Sequence, residues 1–362
     1  MEGRRLRLNK NCEYLEAPSL EALFAAESLL SGAESTKELL TEVYGKKLPA
    51  ELRSRYRFLA EALEAARMVG GMGGLWLLEF LLDLAPEEMQ RDKLMQHCLS
   101  RSEEERIYRM EEWSFHRISK AEIRKALRDD AQLSRLYETV RLHAQEYAPE
   151  HAGASFLAFA AFLRENRRVV QEFFALAGEL DNEKLRQYMD KYRAEADALC
   201  RALQEALAER DGLEVSQMFM GKTFKNRGPY ESFYFLPVLM FHRSAVRFFD
   251  TKKTAHKRQI LFLSLRRKKE QSEDDTVQRL RVLADSSRYR ILKLLAGSEP
   301  LRGQDIAKAL QIAPSTVTHH MEQLKSAGLV TEEPAGNAKY FGIGTDGIQS
   351  LIEAVRRDFP SG

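Results

Sequence analysis

The sequence predicts a mainly α protein: an N-terminal multi-helix domain with a small antiparallel β-sheet near its end, then a C-terminal domain of short helices and a hairpin. Three observations predict it. Residues 48–69, 118–144, 154–178 and 183–210 each repeat apolar residues at three- and four-residue spacing, as helices with one buried face do. Breaks fall at Gly32, Pro49, the 70–74 glycine cluster, Pro86, Pro149, Gly178 and Gly212. Nothing repeats at a fixed period, so a helical solenoid is not supported. After Gly212 the texture changes. Residues 232–241, 245–249 and 259–265 are aromatic and β-branched runs of strand length, and 251–256 reads as a hairpin loop. The third observation is the C-terminal order: a short helix from Arg288, another over 304–310, a third from Pro314 rich in hydroxyl and imidazole groups, then a hairpin ending near Ile343. The expected boundaries are 1–212 for a helical regulatory or oligomerisation domain and 213–265 for the β segment packed on it. Residues 266–274 are the charged linker, and 275–362 the C-terminal domain.

In that last domain Ile306, Ala307 and Leu310 form one buried stripe, and Val317, Met321 and Leu324 recur at i, i+4 and i+7 as another. Ser315, Thr318, His319, Glu322 and Gln323 then fall on the sides away from the stripe. Pro314 suits a first helical turn, where its missing N–H costs nothing. Gly328 stops the helix, Leu329 and Val330 begin a strand, and residues 334–337 (Pro-Ala-Gly-Asn) make the hairpin turn, with Lys339 on the returning strand. Helices, a tight turn, a third helix and a hairpin are the layout of a winged helix-turn-helix, which places one helix in the DNA major groove. Neighbouring residues on a helix point about 100° apart, so His319 and His320 cannot both be core, and His319 is assigned to DNA.

The segment resembles the ArsR-type winged helix of bacterial transcription regulators. The resemblance rests on residues 315–321 (Ser-Thr-Val-Thr-His-His-Met), 324–330 (Leu-Lys-Ser-Ala-Gly-Leu-Val) and 285–292 (Asp-Ser-Ser-Arg-Tyr-Arg-Ile-Leu), and covers residues 275–359, roughly a quarter of the chain. It implies that Ser315, Thr316, Thr318 and His319 face bases or nearby phosphates; Pro314 and Gln323 on the same helix are further DNA-binding candidates. His320 would brace the helix or touch the DNA backbone, and Lys339 would reach a flanking phosphate from the wing. It also implies a homodimer paired through the helices over 275–284 and 346–359, on an inverted-repeat operator whose half-sites lie about one helical turn apart. Metal-sensing members carry cysteines on the helix before the recognition helix, or a His and acid cluster on the last helix. Here the positions near Arg302 and Gln304 offer no thiolate and no histidine follows His320, so neither site is expected, and no cofactor.

Composition bounds the rest. Cys12, Cys98 and Cys200 lie far apart and form no CxxC pair, which suits reduced thiols in a cytoplasmic protein. The most apolar stretch, residues 74–84, contains Glu79 and Asp83, so no membrane span is expected. The net charge of +2 conceals an asymmetry. Residues 222–270 carry thirteen Lys or Arg against three acids, a net +10; residues 271–362 carry eleven against twelve, a net −1, which leaves −7 for the first 221. The basic stretch has two readings, added phosphate contacts or solvated strand faces with a basic linker.

Other motifs carry less. The 70–74 glycine cluster lacks a preceding strand and a following GK[ST], so a helix-breaking turn outweighs a phosphate loop. His97 and Cys98 lack ligand partners at suitable spacing, and His143 and His151 are loosely placed. Glu103 to Glu105, Glu111 and Glu112 read as solvated faces. For the aromatic residues between Phe219 and Phe249, and for Trp76, Trp113 and Phe115, packing outweighs ligand contact. Three functions follow. The first is a sequence-specific DNA-binding transcriptional repressor whose N-terminal domain senses a small-molecule effector or mediates assembly. The second is a winged helix used for protein contact, which the near-neutral charge of 271–362 keeps open. The third, a self-regulated enzyme, is disfavoured by the lack of a nucleophile elbow, phosphate loop or Rossmann glycines.

Overall fold

Each of the four amphipathic runs folds as two helices rather than one. The computed structural model describes residues 3–32, 34–70, 72–110, 118–147, 149–221, 223–224, 228–241, 245–250, 257–266, 273–335 and 338–359. The chain divides into two units, residues 1–202 with 230–266, and residues 203–229 with 267–362.

Unit 1 opens with strands β1 (Arg5–Arg7) and β2 (Cys12–Leu15), then helices α1 (Pro18–Ser31), α2 (Glu34–Tyr44), α3 (Lys47–Arg55) and α4 (Arg57–Gly70). A 3-10 helix over Gly73–Asp83 leads to α5 (Arg91–Ser100), α6 (Glu103–Tyr108), α7 (Lys120–Ala126), α8 (Asp130–Tyr147), α9 (Phe156–Arg164), α10 (Asn166–Leu180), α11 (Glu183–Asp190) and α12 (Arg193–Glu209), within which the division falls. The runs split near residues 56, 128, 165 and 191, where no glycine or proline stands. At two of the four, side chains do the splitting. Asp129 Oδ1 accepts the Gln132 N–H at 2.8 Å and starts α8. Asn166, fully buried, gives its Nδ2 to the Phe162 carbonyl at 3.3 Å and takes Arg106 Nε on Oδ1 at 2.7 Å. A side chain that captures the i−4 carbonyl competes with the helical bond there.

The glycine cluster is the expected turn. Gly73 has φ +54, and a Cβ there would lie 2.2 Å from Glu27 Oε1. Glu27 holds the turn by accepting the Gly74 N–H on Oε2 at 2.7 Å and Arg67 Nη2 on Oε1 at 2.6 Å. Residues 73–82 beyond it are all buried, Trp76 among them, and among the described residues no single helix is long and apolar enough to cross a membrane. Trp113 and Phe115 lie outside the described residues.

The sheet of unit 1 is larger than expected and mixed rather than antiparallel. Strands β3 (Ser232–Val238), β4 (Ala245–Phe249) and β5 (Arg258–Ser264) join β1 and β2 in the order β1-β2-β3-β5-β4. β4 and β5 pair antiparallel as a hairpin should, with the 251–256 loop outside the described residues. β2 runs parallel to β3, with Cys12 opposite Phe233, and β3 parallel to β5, with Phe235 opposite Leu261. The physical reason is burial. Residues 259–263 are buried without a break, the pattern of strands covered on both faces rather than alternating. The aromatic side chains Phe233, Tyr234, Phe235, Phe241, Phe248 and Phe249 are core, and all three cysteines are buried thiols outside any disulfide.

Unit 2 takes in α13 (Gly212–Met220), so residues 213–229 lie with the C-terminal part and not with the sheet segment expected for them. Then follow α14 (Glu273–Leu283), α15 (Ser286–Ala296), β6 (Leu301–Arg302), α16 (Gly303–Leu310), α17 (Pro314–Ser326), β7 (Val330–Ala335), β8 (Ala338–Ile343) and α18 (Thr345–Asp358). The strands form an antiparallel sheet in the order β6-β8-β7. Ile291, Leu295, Ile306, Val317, Met321 and Leu324 meet in the core, as the two stripes require. This is a winged helix-turn-helix. The upstream segment touches it closely: a Cβ on Gly342 of β8 would lie 2.6 Å from Thr223 Oγ1.

Candidate nucleic-acid interface

Helix α17 starts and stops as its sequence directs. Pro314 is its first residue, after an Ala313 that supplies no side-chain cap. At the other end Gly328 takes φ +69, donates its N–H to Lys325 O at 2.9 Å, and Leu329 donates to Leu324 O at 2.9 Å. Those two bonds are a Schellman motif, which turns the chain directly into β7.

Between these ends the side chains sort into two sets. Pro314, Ser315, Thr316, Thr318 and His319 are exposed, while Val317 is buried beneath them. No acidic residue stands in the first turn. The Thr318 hydroxyl donates to the Pro314 carbonyl at 3.1 Å, which leaves the oxygen's lone pairs outward as acceptors. The exposed set offers hydroxyls and an imidazole in one short run, groups able to donate to or accept from base edges and phosphates.

The remaining sequence candidates sit differently. His320 is 9% exposed, with Nδ1 buried and without a hydrogen-bond partner among the described residues. It neighbours Asp285, which caps α15 by accepting the Arg288 N–H at 2.9 Å. That backbone bond, and then the charges of Arg288 and His320, hold the Asp285 carboxyl below its ordinary range. Gln323 is half-buried, its Oε1 accepting from Arg288 Nη1. Arg288 also donates from Nε to the Val282 carbonyl at 2.6 Å, so it ties α17 to α14. The bracing role of Arg288 is not visible in the sequence, because it depends on partners 6 and 35 residues away.

Lys339 is an ion-pair member rather than a free cation. Glu332 on β7 meets Lys339 Nζ at 3.2 Å and Lys325 Nζ at 3.1 Å, so one carboxylate holds a cation from the wing and one from the recognition helix. The turn at 336–337 lies outside the described residues. At the base of the wing Arg302 is exposed, lies over the Tyr340 ring at 5.1 Å and donates to its hydroxyl at 2.9 Å. An aromatic shelf fixes that guanidinium, and the pairing of β6 with β8 brings the two residues together, which the sequence alone does not reveal.

The basic stretch is partly spent inside unit 1. Arg247 is buried over the Phe249 ring at 4.2 Å, Arg258 donates to the Leu84 carbonyl at 2.6 Å, and Lys257 pairs with Glu231 at 2.9 Å. Lys222, Lys225, Arg227, Arg243, Lys252, Lys253 and residues 267–269 fall outside the described residues.

A winged helix whose third helix exposes hydroxyls and an imidazole in its first turns defines a class of regulatory module. The family model described as bacterial regulatory protein, arsR family, matches residues 285–332. The transcriptional repressor SdpR of Bacillus subtilis is 31% identical over 72 residues, 20% of this chain and 79% of that protein. The arsenical resistance operon repressor of Staphylococcus aureus is 34% identical over 74 residues, 20% of this chain and 70% of that protein. A solution structure of the homodimeric winged helix-turn-helix DNA-binding domain of a possible ArsR-family regulator from Mycobacterium bovis aligns with 27% identity, over 25% of this chain and 92% of that chain, at a TM-score of 0.21. The chain belongs to the arsR family of bacterial regulatory proteins.

Proposed function

We propose that this protein is a sequence-specific transcriptional repressor that acts as a homodimer on an inverted-repeat operator, with unit 1 sensing an effector or mediating assembly. One observation carries the DNA reading: Ser315, Thr316, Thr318 and His319 stand exposed on one helix whose opposite stripe is core. In this reading α17 enters the major groove, Thr318 and His319 read base edges, Ser315 and Thr316 hold phosphates or bases, and the wing sets register. His320 and Gln323 act indirectly, by fixing α17 on its neighbours. Support for the dimer comes from apolar residues left at the surface of the helices that would pair: Val277 and Leu280 on α14, Ile352 on α18 and Phe359 after it. Inverted half-sites would then lie about one helical turn apart.

The test is a binding titration of the full chain on DNA from upstream of its own gene, with a random duplex as control, at two salt concentrations. Selective, saturable binding with two chains per site is expected. A second reading has its own observation: residues 271–362 carry a net −1, and Glu332 already holds two of their cations. Under that reading the winged helix is a protein-contact module, and binding would be equal on both duplexes and lost at moderate salt.

A further inference from the structure

At the N-terminus of α1, beside the start of α12 and the ends of β3 and β5, unit 1 holds a cleft of about 470 Å³ including the part open to solvent. Met189, Pro237, Leu239 and Leu265 make its walls apolar, and Glu16 and Glu21 supply carboxylates. Glu21 is 4% exposed. Its Oε1 accepts the Leu239 N–H at 2.9 Å and also the Met240 N–H, while Oε2 takes no hydrogen bond among the described residues. Glu16 Oε1 is buried and likewise without a hydrogen-bond partner among the described residues; Arg4 Nη1 stands 3.9 Å from it, beyond bonding range. The cation of the lining, Arg193, is already on the other Glu16 oxygen at 2.7 Å. Glu16 Oε1 is therefore a buried acceptor that no donor of the described residues meets. Ionised carboxylates accept only, and a desolvated acceptor left unmet is unfavourable.

We propose that this cleft binds a small organic ammonium ion with a short apolar body, Glu21 and Glu16 accepting its N–H donors and the apolar walls covering its chain. The proposal rests on the effector-sensing reading of unit 1 and gives that effector a chemical class. An alcohol brings one donor to two acceptors. A carboxylate brings a third anionic group and no donor at all. An ammonium brings three donors and the opposite charge. Burial also pushes the Glu21 carboxyl up to about 7, against the pull of its two backbone N–H groups, so an arriving cation expels a proton from it near neutral pH. The other ionisable groups around Glu21 are Tyr44 on α2, and Glu16, Tyr192 and Arg193 at the cleft.

The experiment is titration calorimetry of the full chain with hexylammonium chloride, run in two buffers of different ionisation enthalpy, with hexanol and sodium hexanoate as controls. One site per chain, controls at least about tenfold weaker, and proton release near pH 7 are expected. Glu21→Gln keeps an acceptor for Leu239 and Met240 but should weaken hexylammonium about tenfold or more and abolish the proton release. Ala17→Phe, at the half-buried rim of the cleft, removes no polar partner and should weaken binding as well. Equal binding of the three probes, affinity that survives Ala17→Phe, or no saturable binding would overturn the proposal. Operator affinity measured with and without hexylammonium separates the two ideas. Bound ammonium without an effect on DNA supports the cleft and removes its sensing role; absent binding removes the cleft and leaves DNA recognition untouched.

Discussion

The interior of unit 1 holds Glu21, Glu27, Arg67, Glu79 and Arg106, whereas the core of the winged helix is built from aliphatic side chains, with Thr276 and His320 as the buried polar residues beside it. The fully buried side-chain contacts of unit 1 include two that join residues far apart in sequence, the ion pair of Glu27 with Arg67 and the hydrogen bond of Arg106 to Asn166, separations of 40 and 60. The ion pairs described in the winged helix lie at its surface. Unit 1 thus depends on a few exact partners, while the winged helix depends on pattern and volume. A buried charge that loses its partner costs far more than the pair contributes, so the sharpest contrast lies there. Arg67→Met leaves Glu27 buried with one backbone donor and should lower stability by about 3–5 kcal/mol in a denaturant titration. The double variant with Glu27→Gln should recover much of that loss. A single-variant loss under about 1 kcal/mol would show that the pair is solvated and the contrast false.

The same contrast has a pH signature. Glu21 is protonated more readily in the folded chain, at about 7 against an ordinary 4.5, so its contribution is fully present below about 4.5 and is lost as pH rises through 7. The loss approaches about 3 kcal/mol. Asp83 works in the opposite direction. Burial raises its carboxyl, but hydrogen bonds from His97 and Arg109 win and hold it at about 2, so its contribution is present above the ordinary carboxylate range and fades as pH falls towards 2. Midpoints measured from pH 4 to pH 8 should decline between about pH 4.5 and pH 7 and level off above it, and Glu21→Gln should flatten that decline. An unchanged slope in the variant would assign it elsewhere.

Within the winged helix the two adjacent histidines repeat the comparison on a smaller scale. His319→Ala, or Thr318→Ala, should weaken binding to the specific site by about 1–3 kcal/mol and leave random DNA nearly unaffected. His320→Ala should instead shift thermal unfolding, because its ring is buried beside the Asp285 cap. Equal losses on both duplexes for His319→Ala would end its assignment as a base reader.

Legibility followed the range of the interactions. The stripe Val317, Met321, Leu324 and the stop at Gly328 are local, and both stand in the structure as the sequence states them. The aromatic strands were also legible, but their pairing was not, because β2 is a four-residue segment whose partner Phe233 lies more than two hundred residues on. The helix splits divide the same way. Asp129 is a recognisable N-cap. Glu165 and Asn166 follow an unbroken apolar rhythm, and only the arrival of Arg106 makes a buried Asn at that point satisfiable. At the candidate interface residue types indicated the exposed face of α17, but not that Gln323 and Lys339 are already engaged by Arg288 and Glu332.

That last engagement sets the smallest effect. A free wing lysine on a phosphate would change the salt slope of DNA binding by about 0.9 when removed. Lys339 shares Glu332 with Lys325, so reaching a phosphate means leaving a carboxylate 3.2 Å away, and the carboxylate keeps part of the local charge neutral whether or not DNA is present. Lys339→Ala should therefore lower affinity on specific and random duplexes alike, with a change in slope well short of that figure. Glu332→Gln should do the reverse, releasing two cations at once, tightening binding to both duplexes and steepening the slope. If Lys339→Ala costs the full increment while Glu332→Gln changes nothing, the ion pair opens on DNA without penalty, and the wing behaves as the free cation that the sequence suggested.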